Sequence, residues 1–505
     1  MRHALPVPAL QLALIAAMLA TPAPAPAMDM AARSGAEAAR IAAVLAPPSD
    51  FTAPEPFEAL PGGTGTARGE AARGRAAFAA PLPGMGAERE LDFHLGSALF
   101  GKLWVTAPSA TRASDGLGPL FNARSCLGCH PGNGRGQPRT PGDRGASGMI
   151  LRLSVAGELS AELAAIEGYL ATLPHPVLGE QLQDFAVAGL APEGQLAIRY
   201  TEFPVPLSGG EAASLRQPVY SVDPALPAGT LTSPRIAPPM IGLGLLEAIP
   251  EAEILAAADP GDADGDGISG RANTVWSREI GAPALGRFGW KAGHATLADQ
   301  VASAFANDIG ISNPLYPGGW GDCTAAQPAC REARHGEDAD ARGGLELDST
   351  GLALTTRFAA ALAVPERRNI ADPQVLRGKE MFHAAGCAAC HTPKHVTARL
   401  PGDPSRSFQL IWPHTDLLLH DMGEGLADRR PEATASGREW RTPPLWGIGL
   451  TQAVSGHTLY LHDGRARSLL EAVLWHGGEA HPARDTVAGM PPEDRAALIR
   501  FLESL

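Results

Sequence analysis

The pentapeptide Cys126-Leu-Gly-Cys-His130 has a second version in the same chain, Cys387-Ala-Ala-Cys-His391. Each residue type in this pattern has its own chemical task. Two thiols held two residues apart match the spacing of the vinyl groups of a porphyrin and can add across them. The histidine that follows is then delivered beneath the iron as its proximal ligand. A thioredoxin-like dithiol or half of a zinc site would also use C-x-x-C, but neither requires the adjoining histidine. No second C-x-x-C completes a zinc set in either half. The chain is therefore expected to bind two haem c groups covalently, one through Cys126, Cys129 and His130 and one through Cys387, Cys390 and His391.

An internal repeat surrounds the two pentapeptides. Gly96-Ser-Ala-Leu-Phe100 precedes the first, and Gly378-Lys-Glu-Met-Phe382 precedes the second. Downstream, Arg235-Ile-Ala-Pro-Pro-Met240 is echoed by Arg441-Thr-Pro-Pro-Leu445, and Thr296-Leu-Ala-Asp-Gln-Val301 by Ser468-Leu-Leu-Glu-Ala-Val473. Three matches in one order imply two copies of one haem-binding fold. The copies differ in spacing: 105 residues lead from His130 to Arg235, but only 50 from His391 to Arg441. The first copy thus carries an insertion over about 145–230. Alternation at Ile150-Leu-Arg-Leu-Ser154 and Leu196-Ala-Ile-Arg-Tyr200 predicts strands within it.

These signals predict a mainly α fold. It comprises two cytochrome c-like haem domains with long loops, 91–365 and 366–505, the first enlarged by an insertion with some β. Residues 28–90 are rich in Ala, Pro and Gly and read as a linker or a segment draped over the first domain. In the second domain, Asp372-Pro373 is a helix start, with the helix expected to reach about Phe382. Leu498, Phe501, Leu502 and Leu505 mark an amphipathic closing helix. A first and a last helix packed across each other is the cytochrome c arrangement. Ser468-Leu-Leu-Glu471 is a capping box and Gly477-Gly478 a stop, which places His476 at the end of a short helix.

The sixth iron position decides what such a protein can do, because an open face admits a small molecule and a second ligand makes a carrier. In the second copy the candidates are Met422, His420, His462 and His476, with His476 favoured by its place at a helix end. In the first copy the matching position is Ala304, which cannot bind iron, and Met149, Met240 and His294 remain as candidates. That asymmetry points to catalysis at the first haem.

The N-terminus reads as a cleaved secretory signal, residues 1–27. Arg2 and His3 start it, Ala9 to Ala20 are apolar, and Ala25-Pro26-Ala27 is a cleavage site. A periplasmic location follows as an expectation, with no transmembrane segment in the mature chain. The two cysteines outside the haem motifs, Cys323 and Cys330, are expected to form a small-loop disulfide there. The net charge of -13 and the lack of any basic run exclude nucleic acid as a partner.

Several stretches resemble the di-haem oxidoreductase family, bacterial proteins labelled as peroxidases or thiol oxidoreductases. They are Asp115–Asn122, Pro238–Glu247, Gly286–Ala292, Glu439–Trp446 and Trp475–Ala480, and the likeness runs from about Gly96 to the C-terminus. A more distant likeness is to di-haem cytochrome c peroxidases and the related methylamine-utilisation enzyme. In those proteins a His-Asp-Gly run, here His462-Asp463-Gly464, precedes a helix that ends in the sixth ligand of the electron-transfer haem. That ligand falls on His476 here, where the relatives use Met or Tyr. The resemblance also implies that Gln300, set by Trp290 and Leu297, faces the reactive side of the first haem. The relatives place a catalytic Glu ten residues later, but this chain has Gly310, with Asp308 the nearest carboxylate. Peroxide cleavage requires a positioned proton acceptor, so this departure bears directly on activity.

Asp262, Asp264 and Asp266, followed by Gly267, resemble the start of a calcium loop. The closing Glu is replaced by Asn273, which favours a plain polar turn over a calcium site. The function expected from all this is a periplasmic di-haem c-type oxidoreductase of peroxidase type. Electrons would enter at the second haem from a small cytochrome or cupredoxin, and a small-molecule oxidant would react at the first. Trp290 and Trp446 read as core aromatics or as a bridge between the haems. The alternatives are a non-catalytic electron-transfer cytochrome and a thiol oxidoreductase using Cys323 and Cys330.

Overall fold

The computed structural model describes residues 33–139, 148–336 and 343–505. The expected signal peptide lies outside the described residues.

Two helix crossings organise the chain. Ala87–Gly101 packs across Ser349–Ala360, and Pro373–Ala384 packs across Pro492–Ser504. Each contact closes on a glycine at the same position of the repeat. A Cβ on Gly96 would overlap the carbonyl oxygen of Leu354, and one on Gly378 would overlap that of Ala497. Only a residue without a side chain lets these backbones approach so closely. An aromatic pair follows each glycine: Phe100 lies 5.1 Å from Phe358, and Phe382 lies 5.1 Å from Phe501. The local signals for these helices are in place. Asp372 accepts a hydrogen bond from the Gln374 N–H with Pro373 in the first turn, and Leu498, Phe501 and Leu502 are buried on the closing helix.

The expected mainly α class is incorrect. Helix takes up 32% of the chain and strand 19%, spread over many small sheets, so the fold is mixed α/β. The Gly/Pro-rich connections pair into ladders of two or three residues, such as Leu419–Asp421 with Glu439–Arg441. Segments that short carry no readable alternation. The largest sheet elements come from the insertion. Met149–Ala156 lies between Leu231–Ile236 and Thr172–Leu173, and Gln195–Pro206 pairs with Ala212–Asp223 in a long antiparallel hairpin.

That hairpin reaches across to the second half. The Tyr220 hydroxyl donates to Asp463 at 2.5 Å, and Arg216 donates to the Arg465 carbonyl at 2.8 Å. Arg495 pairs with Glu211 at 2.6 Å, and Phe203 meets Trp475 edge-on at 5.7 Å. Leu153, Leu196 and Leu215 of the insertion share one buried core with Leu498 and Phe501. The N-terminal segment is also anchored to the second half: Glu55 accepts from Lys379 at 2.8 Å and from Lys394 at 2.6 Å, and Glu58 pairs with Arg367.

Cys323 and Cys330 are joined in a disulfide, as their spacing implied. Among the described residues no helix is long and apolar enough to cross a membrane.

Two candidate haem sites

Both motif histidines are fixed in the same way. His130 follows the short helix Cys126–Cys129, and its Nδ1 donates to the Pro238 carbonyl at 2.9 Å. His391 Nδ1 donates to the His414 carbonyl at 3.1 Å. Burial lowers the pKa of each to about 4, so both rings are neutral near pH 7. With Nδ1 committed as a donor, Nε2 is left as a lone-pair donor to a metal. None of the four motif cysteines is in a disulfide. Burial pushes Cys126 and Cys387 up to about 12 and raises Cys129 and Cys390 as well. Thiols so hard to ionise are poorly suited to a redox dithiol, which depends on a lowered pKa.

Each pentapeptide opens on a large cavity. In the second, the rings of His391 and His476 face each other with centroids 6.5 Å apart. Two imidazoles sharing one iron, with each nitrogen about 2 Å from the metal, would stand about 6.3 Å apart centre to centre. His476 Nδ1 donates to the Ala472 carbonyl at 2.7 Å, which again frees Nε2. The helix behind it, Leu469–Leu474, begins at Ser468, whose hydroxyl accepts from the Glu471 N–H. The residues at this site fit a haem iron held from both sides.

The other candidates of the second copy are engaged elsewhere. His420 is clamped between Asp416 (2.7 Å) and Glu479 (2.8 Å). Burial opposes its charge, yet hydrogen bonds to Asp416, the Cys390 thiol and Glu479 hold its pKa up at about 12. His462 stacks on Trp440 with centroids 3.8 Å apart, and burial lowers its pKa to about 3. Met422 lines the same cavity and packs against the hydrophobic core.

The first cavity brings together His294, Gln300, Ala304 and Asp308. Met149 is buried in the hydrophobic core, whereas Met240 lines this cavity as well and packs with Phe93, Phe100 and Phe358. Asp308 sits in a π-helical turn, Phe305–Ile309. Its carboxylate accepts from Gln181 Nε2 at 2.8 Å, and burial raises its pKa despite that bond. At the next landmark, Gly310 has φ +79°, and a Cβ there would lie 2.7 Å from the Cα of Gly118. The absent glutamate is therefore a requirement of backbone packing in this chain.

Sequence reasoning missed Arg152 and Gln181, which the insertion contributes to this cavity. Arg152 pairs with Glu180 at 2.9 Å. A charged arginine between Leu151 and Leu153 in a largely apolar strand was the available sign. Trp290 and Trp446 line both cavities, and the Trp290 indole donates to the Ile236 carbonyl at 2.8 Å. In the acidic loop, the carboxylates that converge are Asp259, Asp262 and Asp264. Asp266 instead accepts from the Ile268 N–H, and Asn273 is buried, donating to the Lys291 carbonyl.

Residues 58–505 match the family described as "Di-haem oxidoreductase, putative peroxidase". No curated protein is similar enough to the chain to match it. Among solved structures, Kuenenia stuttgartiensis hydrazine synthase pressurized with 20 bar xenon is similar at 19% identity. The likeness covers 32% of this chain and 57% of that chain with a TM-score of 0.22, too loose to transfer any residue. The chain thus spans little more than half the length of that protein. With nearly its whole length matched and both pentapeptides inside the match, the chain belongs to the di-haem oxidoreductase family.

Proposed function

We propose that the chain is an exported, periplasmic c-type di-haem oxidoreductase that reduces a small-molecule oxidant of the peroxide class. When bound through Cys126/Cys129 and Cys387/Cys390, the haems supply one-electron storage, with electrons entering at the second and the oxidant reacting at the first. The carrying observation is an asymmetry between equivalent positions: His476 lies 6.5 Å from His391, whereas the matching residue in the cavity of His130 is Ala304, which has no ligand atom to offer. His391 and His476 would both hold the second haem and so keep substrate away from it. Gln300 and Asp308 are the groups that bind the oxidant and move its proton in the first cavity. The electron donor fits a small cytochrome or cupredoxin.

The test begins with the mass of protein made in a host with haem-attachment machinery. Two haem adducts are expected, and a mass without them removes the c-type reading. Spectra of the ferric and ferrous holoprotein then follow. One high-spin and one low-spin haem, with carbon monoxide binding at one site, support the peroxidase reading. A second reading, a non-catalytic electron carrier, draws on Gly310 in place of the glutamate and on Asp308 being tied to Gln181. Two low-spin haems inert to peroxide and carbon monoxide would leave that carrier alone.

A further inference from the structure

Arg135 and Arg441 each line both cavities. Both are 7% exposed. Among the described residues, neither has a carboxylate within ion-pair distance. The Arg135 guanidinium donates to the Leu461 carbonyl at 2.9 Å, and its Nε has no partner. It lies 5.5 Å from the Trp290 ring and 5.9 Å from the Tyr460 ring. Arg441 donates to the Gly289 and Thr442 carbonyls, each at 3.0 Å. Burying a charge without a counter-charge costs several kcal/mol, so two such groups at one seam call for an anion.

The internal repeat supplies a control. Arg235 holds the Arg441 position in the first copy, and there the chain provides its own carboxylate, Glu432 at 2.7 Å. Among the described residues Arg441 has no carboxylate in contact: Asp416 acts on it only at longer range and is itself paired with His420 at 2.7 Å.

We infer that Arg135 and Arg441 form an anion cradle at the seam of the two cavities, which would take propionate carboxylates of the haems that these cavities hold. The inference rests on the di-haem reading above. A guanidinium with donors to spare matches a carboxylate in a two-pronged geometry, and a desolvated setting strengthens the pair.

The holoprotein and its Arg135→Met, Arg441→Met, Arg135→Lys and Arg441→Lys variants test it. Mass is read first: a wild-type chain without two adducts overturns the di-haem reading itself, whereas the cradle is judged on chains that carry both. In these, each Met variant is expected to shift the propionate-bending bands of the resonance Raman spectrum. It should also lower one haem's reduction equilibrium constant about tenfold, equal to about 59 mV for one electron. Lysine should restore most of the potential while leaving the bands altered. If a Met variant fails to retain haem, the bands of the matching Lys variant decide. Unchanged bands in the variants overturn the cradle. So does a wild-type potential that follows exchange of chloride for phosphate, because the seam would then hold an anion from solution.

Discussion

The imidazoles of His391 and His476 stand 6.5 Å apart, centre to centre, across the second cavity. Each has its Nδ1 pinned to a main-chain carbonyl, so Nε2 is the nitrogen left free on both rings. Replacing His476 with alanine should open this site: the second haem becomes high-spin and carbon monoxide uptake per chain doubles. Replacing it with methionine should keep the haem low-spin and raise its potential, since thioether ligation favours the reduced iron. Uptake unchanged in His476→Ala would mean that another group holds the iron.

Gly310 should not accept the glutamate that the distant peroxidase likeness leads one to expect there. Both Gly310→Ala and Gly310→Glu place a Cβ against Gly118 at a backbone angle that disfavours side chains, for a loss of about 1–3 kcal/mol or more. Denaturant unfolding measures the loss, and peroxide turnover should not rise in Gly310→Glu. A stable variant with enhanced turnover would show that Gly118 and Gly310 can part.

The two helix crossings should be equally intolerant of one methyl group. Gly96→Ala and Gly378→Ala are each expected to cost about 3 kcal/mol, because the clash is with main chain that cannot swing aside. Gly489→Ala, where nothing lies near the added atom, should be neutral or stabilising by about 0.5–1 kcal/mol. Equal unfolding midpoints for all three would refute the crossing geometry.

Glu193 gives the chain a pH-dependent weakness away from the haem sites. Burial pushes its pKa from 4.5 up to about 7, against hydrogen bonds from the Gln183 N–H and the Gln327 side chain. The folded protein keeps this proton up to about pH 7, whereas the unfolded chain releases it near 4.5. Stability is therefore present in full below that lower value and is lost as pH rises through the upper one, by up to about 3 kcal/mol. Glu193→Gln should remove this contribution. Unfolding curves of both proteins at pH 5 and pH 8 check it, and parallel pH profiles would count against the assignment.

What could be read from the bare sequence was what is local or recurs. The pentapeptides, the Asp372-Pro373 helix start and the Ser468 cap each act within a few residues, and the repeat tied Gly96 to Gly378 and Ala304 to His476. The fold class failed because ladders such as Leu419–Asp421 are too short to alternate, while the insertion's long hairpin outweighs its share of the pattern. The reach of Gln181 to Asp308, and of Tyr220 to Asp463, spans well over a hundred residues, and no periodicity encodes such pairings. Position 310 showed a missing glutamate but not its cause, which is Gly118 pressed against it.

The hairpin that leaves the first half and grips the second has a bearing on motion. For one half to rock against the other, the Tyr220 hydroxyl must let go of Asp463 and Arg495 must release Glu211. The hairpin acts as a strut, holding the gap between the two redox centres nearly constant through thermal agitation. A gene cut between the halves would yield two fragments that each expose part of a divided interior, not two free-standing modules.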